Sequence, residues 1–287
     1  MELIEKVKEM QTWARDKRAQ GLTIGFVPTM GCLHQGHLSL MEYARPRCDL
    51  LTASIFVNPT QFAPTEDFDE YPRDINRDLD LMRKVEVDMV FIPPAEEIYP
   101  EGFQTYVEVT EVSQGLCGVD RPTFFRGVAT VVAKLFNIVM PDLAVFGEKD
   151  YQQLIVIRRM AKDLHLEVEV IGRPTVREED GLAMSSRNVY LSPEERESAR
   201  ALSSSLKLAQ EMVDRGELAA PEILAEVKRY IEERPFTRIQ YVELVDHQTL
   251  KPVDMVQGKA LLVMAVMVGR TRLIDNTIIK AKTYKTD

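Results

Sequence analysis

Short apolar runs alternate with helical patterns through the first two thirds of the chain, and this alternation restricts the possible fold more than any other feature. The runs are "TIGFV" (23–27), "LLTASIFV" (50–57), "DMVFIP" (88–93), "LAVFG" (143–147) and "LEVEVIG" (166–172). Between them the spacing predicts helices near 37–45, near 73–85, from about Gly127 to Met140 and from about Asp150 to Leu164. Strands that are apolar on both faces and separated by helices belong to a parallel sheet covered on two sides. The expected architecture is a doubly wound α/β domain. The stretch "TYVEVTEV" (105–112) alternates strictly and is expected as a half-exposed strand on an insertion or an edge.

The pattern changes at "GRPTVREEDGLAMSSRNVYLSPEER" (172–196), a polar segment that ends in a helix start at Ser192. Two helices follow, roughly 193–214 and 220–233, and then "RIQYVELVD" (238–246) and "ALLVMAVMVG" (260–269). These predict a smaller α+β domain with an antiparallel sheet. The expected division is 1–175 and 176–287, and the polar connection suits a second domain that moves as a lid.

A chain of 287 residues with 45% hydrophobic and 28% charged residues is long enough for two cores. Its net charge of -9 argues against a general nucleic-acid surface or a polybasic membrane surface, so any anion site must be local. The three cysteines, Cys32, Cys48 and Cys117, have no paired spacing and suggest a reducing, cytoplasmic setting. The N-terminus mixes both charges and lacks the apolar core of a signal peptide, and no window reaches the length of a membrane span.

In an open α/β sheet, ligands bind beyond the carboxyl ends of the strands. Two of the four histidines, His34 and His37, lie in "VPTMGCLHQGHLSLM" (27–41), where such a strand runs into a helix. Glycines at 31 and 36 allow close backbone approach, and the helix start favours an anion. Zinc is the competing reading, since Cys32, His34 and His37 are all possible ligands, but no partner segment rich in Cys or His exists elsewhere. "SIFVNPTQF" (54–62) presents Asn58 and Gln61, suited to the hydroxyls and carboxylate of a small polar substrate. "FGEKDYQQL" (146–154) places Lys149 and Gln153 at a helix start, with Asp150 able to cap it or receive a ribose hydroxyl. Ser185, Ser186 and Arg187 combine hydroxyls with a guanidinium able to clasp a polyphosphate, and Arg121 and Arg126 precede a helix that begins near Gly127. There is no P-loop, no GxGxxG and no Ser-His-Asp or Cys-His set. The combination points to nucleotide chemistry by positioning and electrostatics.

Taken in order, "PTMGCLHQGH", "SIFVNPTQF", "YPR", "RPTFFRG", "FGEKDYQQL" and "DGLAMSSRN" resemble the signature of the pantoate–β-alanine ligases, the pantothenate synthetase family of the cytidylyltransferase-like HxGH superfamily. The resemblance covers nearly all of the first domain and the linker. It implies a Rossmann-like nucleotide domain and a two-step reaction: pantoate attacks the α-phosphorus of Mg-ATP to release pyrophosphate, then β-alanine attacks the pantoyl adenylate to give pantothenate and AMP. It further implies that His34 and His37 meet ATP, that Lys149, Ser185, Ser186 and Arg187 meet its phosphates, and that Met30, Gly147, Asp150 and Met184 lie at the nucleotide. Gln61 and Gln153 would hold pantoate, with Asn58 and Arg121 nearby.

Mg²⁺ is expected mainly on phosphate oxygens and water, with Asp78 a weak candidate for its shell. "MSSR" resembles the mobile KMSKS loop of the synthetases but has serine where that loop has its second lysine. Cys32 and Gln35 depart from the family's frequent alanine and glutamate. The resemblance also implies a homodimer, with "TYVEVTEV" as an edge for a partner to cover. The alternatives are a nucleotidylyltransferase of the same superfamily and a nucleotide-binding regulatory module without turnover.

Overall fold

A computed structural model of the chain describes residues 1–62 and 73–281. These form two compact units. The first comprises Met1–Gln114, Gly118–Glu148 and Gln152–Pro174, and the second comprises Thr175 onward together with Gly115–Cys117 and Lys149–Tyr151.

In chain order the elements up to residue 173 are β1 (Glu2–Ile4), α1 (Val7–Ala19), β2 (Ile24–Thr29), α2 (Gln35–Ala44), β3 (Leu50–Ile55), α3 (Ile75–Lys84), β4 (Met89–Phe91), α4 (Ala95–Ile98), α5 (Cys117–Asp120), α6 (Phe124–Val139), β5 (Leu143–Gly147), α7 (Tyr151–Asp163) and β6 (Glu169–Arg173). The six strands form one parallel sheet in the order β1-β4-β3-β2-β5-β6. The chain winds outward from β2 through β3 and β4 on one side, and through β5 and β6 on the other. The order reverses between β2 and β5, which makes the carboxyl ends of those two strands the natural ligand crevice. Phe26, Leu51, Ala53, Val90 and Val145 are fully buried, as a sheet covered on both faces requires.

The second unit continues with α8 (Pro193–Asp214), α9 (Ala220–Glu232), β7 (Thr237–Val245), β8 (Lys259–Val268) and β9 (Thr271–Lys280). Its three strands are antiparallel in sequential order. The start of α8 is a reciprocal cap: the Glu195 N–H donates to Ser192 Oγ at 3.2 Å and the Ser192 N–H donates to Glu195 Oε2 at 2.9 Å. The apolar stripe of α8 and α9, including Leu202, Leu206, Ile223, Val227 and Ile231, packs with Val242, Leu262, Met264 and Val266 of the sheet.

Two sequence expectations are corrected. Residues 105–112 form no strand. The N–H of Val107 donates to Thr130 Oγ1 at 2.9 Å on α6, and Arg126 stacks over Tyr106, so the alternation reflects packing on a helix with no ladder partner. The helix expected from Gly127 begins at Phe124, which puts Gly127 inside its first turn. The polar segment after 172 is a folded turn. Arg177 makes a two-pronged ion pair with Asp275 at 2.7 and 2.9 Å, and Arg196 pairs with Glu178 and Asp180 at 2.5 and 2.9 Å. Asp275 is 1% exposed, so this is a buried carboxylate answered on both oxygens by one guanidinium.

The amino edge of the parallel sheet carries a regular device. Asp49, Asp88 and Asp142 each stand one residue before a strand, and each accepts an N–H at the start of a neighbouring strand: Thr23 at 2.8 Å, Leu51 at 2.7 Å and Ile24 at 2.7 Å. Arg45 pairs with Asp88 at 2.6 Å and Arg18 with Asp142 at 2.7 Å. The N–H and hydroxyl of Thr23 hold the Asp49 carboxyl below its usual range. Its contribution to stability is therefore complete above the ordinary carboxylate pKa and is lost as pH falls through the lowered one. We expect Asp142→Ala to lose about 1.5–3 kcal/mol, because it strands the N–H of the fully buried Ile24, and Arg18→Ala to lose about 1 kcal/mol or less. Urea unfolding of the two variants checks the difference, and equal losses would refute it.

Candidate active site

Loop geometry after β2 is set from outside the loop. Gly31 and Cys32 both have left-handed backbone, with φ of +83° and +51°. A side chain at Gly31 would also bring its Cβ within 3.0 Å of Asp78 Oδ2, so glycine is required by conformation and by space. Asp78, 1% exposed on α3, accepts the N–H of Cys32 on Oδ2 and the N–H of Leu33 on Oδ1, both at 2.8 Å. Arg77 of the same helix donates to Leu33 O at 3.2 Å. Burial raises the Asp78 pKa, and burial followed by the Asp78 charge raises that of the Cys32 thiol. Each oxygen of Asp78 accepts a main-chain N–H, which makes this carboxylate an anchor of the loop.

Held in this way, the loop delivers His34 to the N-cap of α2. Its Nδ1 accepts the Gly36 N–H at 3.1 Å, and His37 Nδ1 lies 3.4 Å from the His34 N–H. The rings stack with centroids 4.1 Å apart. With both Nδ1 atoms accepting from the backbone, each neutral ring carries its proton on Nε2. The backbone at the helix start thus engages the Nδ1 side of both rings. Among the described residues, no group of three or more His, Cys, Asp or Glu is placed to hold a metal ion.

At the carboxyl end of β3, Asn58 is 1% exposed, and its amide is committed internally. Its Nδ2 donates to Gln61 Oε1 at 2.9 Å and to Gly127 O at 3.3 Å, while its Oδ1 accepts from Thr60 and from Tyr99 Oη, the latter at 2.8 Å. Helix α6 approaches this turn so closely that a Cβ at Gly127 would lie 2.3 Å from Thr60 O. Arg121 donates to Gln61 O at 2.8 Å and stacks over Phe124, so it holds the main chain of the turn. Gln61 is half-buried, and so is Gln153 on α7. Tyr71 and Pro72 of "YPR" lie outside the described residues, whereas Arg73 is described and exposed.

The remaining candidates divide between the units. Met30, His34, His37 and Gly147 belong to the first, and Lys149, Asp150, Met184, Ser185, Ser186 and Arg187 to the second. Lys149 Nζ lies 3.7 Å from Asp150 Oδ2, and its carbonyl accepts from Asn276 Nδ2 at 2.8 Å. Ser185 Oγ caps a short 3-10 turn by accepting the Arg187 N–H at 3.3 Å. Below it, buried Asn188 donates to Glu178 Oε1 at 2.6 Å and to Ala183 O at 3.0 Å. Asp78, Tyr99 and Asn188 give no local signal of these roles: each acts on a residue distant in sequence or through a carbonyl that no motif marks.

The chain matches the family model described as pantoate-β-alanine ligase over residues 2–278. It is 52% identical to a pantothenate synthetase of Heliobacterium modesticaldum over 280 residues, 98% of this chain and 100% of the relative. It is 56% identical to one of Syntrophobacter fumaroxidans over 280 residues, 98% and 99% of the two chains. Among solved structures, the pantothenate synthetase of Thermus thermophilus superposes with a TM-score of 0.92 at 45% identity, covering 98% of this chain and 100% of that one. The pantoate-β-alanine ligase of Francisella tularensis, complexed with β-γ ATP and β-alanine, gives a TM-score of 0.79 at 33% identity, covering 97% of each chain.

If Asp78 anchors the loop, Asp78→Asn should lose about 1–3 kcal/mol of stability in buffer containing a chelator, because one buried N–H loses its acceptor. Urea unfolding without any divalent cation makes the test. A loss that appears only when metal is added would restore the metal role.

Proposed function

The chain belongs to the pantoate–β-alanine ligase family, and we propose that it joins pantoate to β-alanine with ATP through a pantoyl adenylate, releasing pyrophosphate and AMP. The observation that carries the residue assignment is the pair of imidazoles at the β2–α2 turn, whose Nδ1 atoms accept from the backbone and whose Nε2–H groups are donors. Donors of this kind at a helix start suit a triphosphate.

The first step brings together two anions, a carboxylate and a triphosphate, in a protein of net charge -9. Attack of the pantoate oxygen on the α-phosphorus needs donors and positive charge concentrated on the phosphates. We assign that task to His34, His37, Lys149, Ser185, Ser186 and Arg187, with Met30, Gly147, Asp150 and Met184 along the nucleotide. Mg²⁺ bound to ATP would neutralise phosphate charge. We assign the metal mainly to phosphate oxygens and water, with Asp78, whose two oxygens each accept a loop N–H, a weak candidate for its shell. Gln61 and Gln153 receive pantoate, while Asn58 and Arg121 hold Gln61 in place. In the second step the neutral amine of β-alanine attacks the acyl carbon to form the amide, the acyl C–O bond breaks, AMP departs with the P–O bond formed earlier, and the amine proton goes to AMP or to solvent.

All three cysteines are thiols, which supports the cytoplasmic reading, and no helix among the described residues is long and apolar enough to cross a membrane. The homodimer rests on the family, because residues 105–112 provide no edge strand. Sedimentation at micromolar concentration tests it, and a monomer would overturn it.

Formation of AMP only when ATP, pantoate and β-alanine are all present tests the reaction. Pantoate-dependent exchange of pyrophosphate into ATP without β-alanine distinguishes it from a nucleotidylyltransferase that stops after transfer. Lys149→Ala should slow adenylation by about a hundred- to a thousand-fold, the usual effect of removing one preorganised charge from a developing oxyanion. The same variant supplied with pantoyl adenylate and β-alanine should be impaired much less, since pyrophosphate has already left. Equal loss in both half-reactions would refute the assignment.

A further inference from the structure

Asn58 is placed so that its amide has only one workable orientation. The Thr60 N–H, a group that can only donate, faces Oδ1 at 3.4 Å, and Gly127 O, a group that can only accept, faces Nδ2 at 3.3 Å. Exchanging oxygen and nitrogen would set donor against donor and acceptor against acceptor in a buried position. Two consequences follow for the neighbouring side chains. Gln61 must turn Oε1 toward Asn58 Nδ2, at 2.9 Å, which leaves its NH2 as the outward group. Tyr99, at the end of α4, must donate its hydroxyl proton to Asn58 Oδ1, at 2.8 Å.

We propose that Tyr99 is a positioning residue for the pantoate side of the site: its hydroxyl locks Asn58, and Asn58 locks Gln61 with its NH2 presented to the substrate. This rests on the reading of Gln61 as a pantoate contact. The outward group is then a donor matched to the carboxylate or hydroxyl oxygens of pantoate, and the polarity of that subsite is set two residues away from the substrate.

The surroundings suit Tyr99 to this role. Its ring meets Phe103 edge-on at 5.1 Å and Phe56 at 6.3 Å, so its direction is fixed by packing. Burial raises its pKa, against the opposing hydrogen bonds to Thr60 and Asn58, which keeps the hydroxyl a donor at any working pH. The Thr60 hydroxyl lies 3.2 Å from Tyr99 Oη and 3.0 Å from Asn58 Oδ1, so its single proton goes to one of these two oxygens while the Tyr99 proton goes to Asn58.

The test uses the full-length enzyme and the variants Tyr99→Phe, Gln61→Ala, Gln61→Glu and the double variant Tyr99→Phe with Gln61→Ala. Tyr99→Phe keeps the ring and its packing, so its urea midpoint should stay close to that of the parent. Its KM for pantoate should rise about three- to tenfold, the effect of one lost hydrogen bond, with the KM for ATP changing less than about twofold. In the Gln61→Ala background the same substitution should have no further effect on the pantoate KM, because its path runs through Gln61. Gln61→Glu preserves shape but turns a carboxylate oxygen outward, and should raise the pantoate KM at least as much as Gln61→Ala. If Gln61→Ala leaves the pantoate KM unchanged, the pantoate reading of Gln61 fails and the proposal fails with it. If Gln61→Ala has its effect but Tyr99→Phe is silent, alters pantoate and ATP constants alike, or adds fully to Gln61→Ala, the positioning role alone is overturned. A Gln61→Glu variant that binds pantoate as the parent does would overturn the assigned polarity.

Discussion

A parallel sheet leaves main-chain N–H groups at its margins that no neighbouring strand can satisfy, and in this protein aspartates answer them. At the amino edge, Asp49, Asp88 and Asp142 accept from Thr23, Leu51 and Ile24. At the carboxyl edge, Asp78 accepts from Cys32 and Leu33. The first three fix where strands begin relative to one another, and the fourth fixes where the loop after β2 ends. His34 reaches the N-cap of α2 at the end of the loop that Asp78 holds. These four aspartates therefore have an architectural role, with their negative charge turned toward backbone dipoles.

This arrangement resolves an electrostatic difficulty. An acidic protein that handles two anionic substrates needs local positive potential without an overall basic surface. In the proposed assignment the imidazole pair faces the nucleotide with its Nδ1 atoms held by the backbone. In the same assignment the formal positive charge is that of Lys149 and Arg187, while Arg121 is turned to the main chain of Gln61. The Gln61 subsite is likewise neutral, with an amide whose direction depends on Asn58.

The fold was legible where a segment's pattern had one physical meaning. "LAVFG" is buried on both faces and is the strand Leu143–Gly147, and Ser192 with Glu195 marks the start of α8. "TYVEVTEV" misled because an alternating pattern is also produced by an extended segment laid on a helix, where Val107 finds Thr130 in place of a strand. Strand β9 escaped notice because Asp275 and Asn276 interrupt its apolar run, and both are buried only because Arg177 and the Lys149 carbonyl lie opposite. The histidines, glutamines and Lys149 stand in motifs and could be singled out. Asp78 resembles any exposed helix acid until the loop 45 residues earlier is folded beside it. Asn58 was noticed for its polarity, but whether an amide meets solvent or is enclosed depends on α6, which arrives 69 residues later.

The turn that carries Met184 to Arg187 is tied on both sides. Before it, Arg177 is clamped to Asp275 and Glu178 to Arg196, and after it Asn188 reaches back to Glu178 and Ala183. A bridge of four residues between fixed abutments has few conformations to surrender when an anion arrives. A long free loop would lose a large share of its contact energy to ordering, whereas this one loses little. Serine in place of a second lysine is then less of a handicap than charge alone suggests: a weaker hand, already held in position, can grip as well as a stronger one that must first be brought to rest.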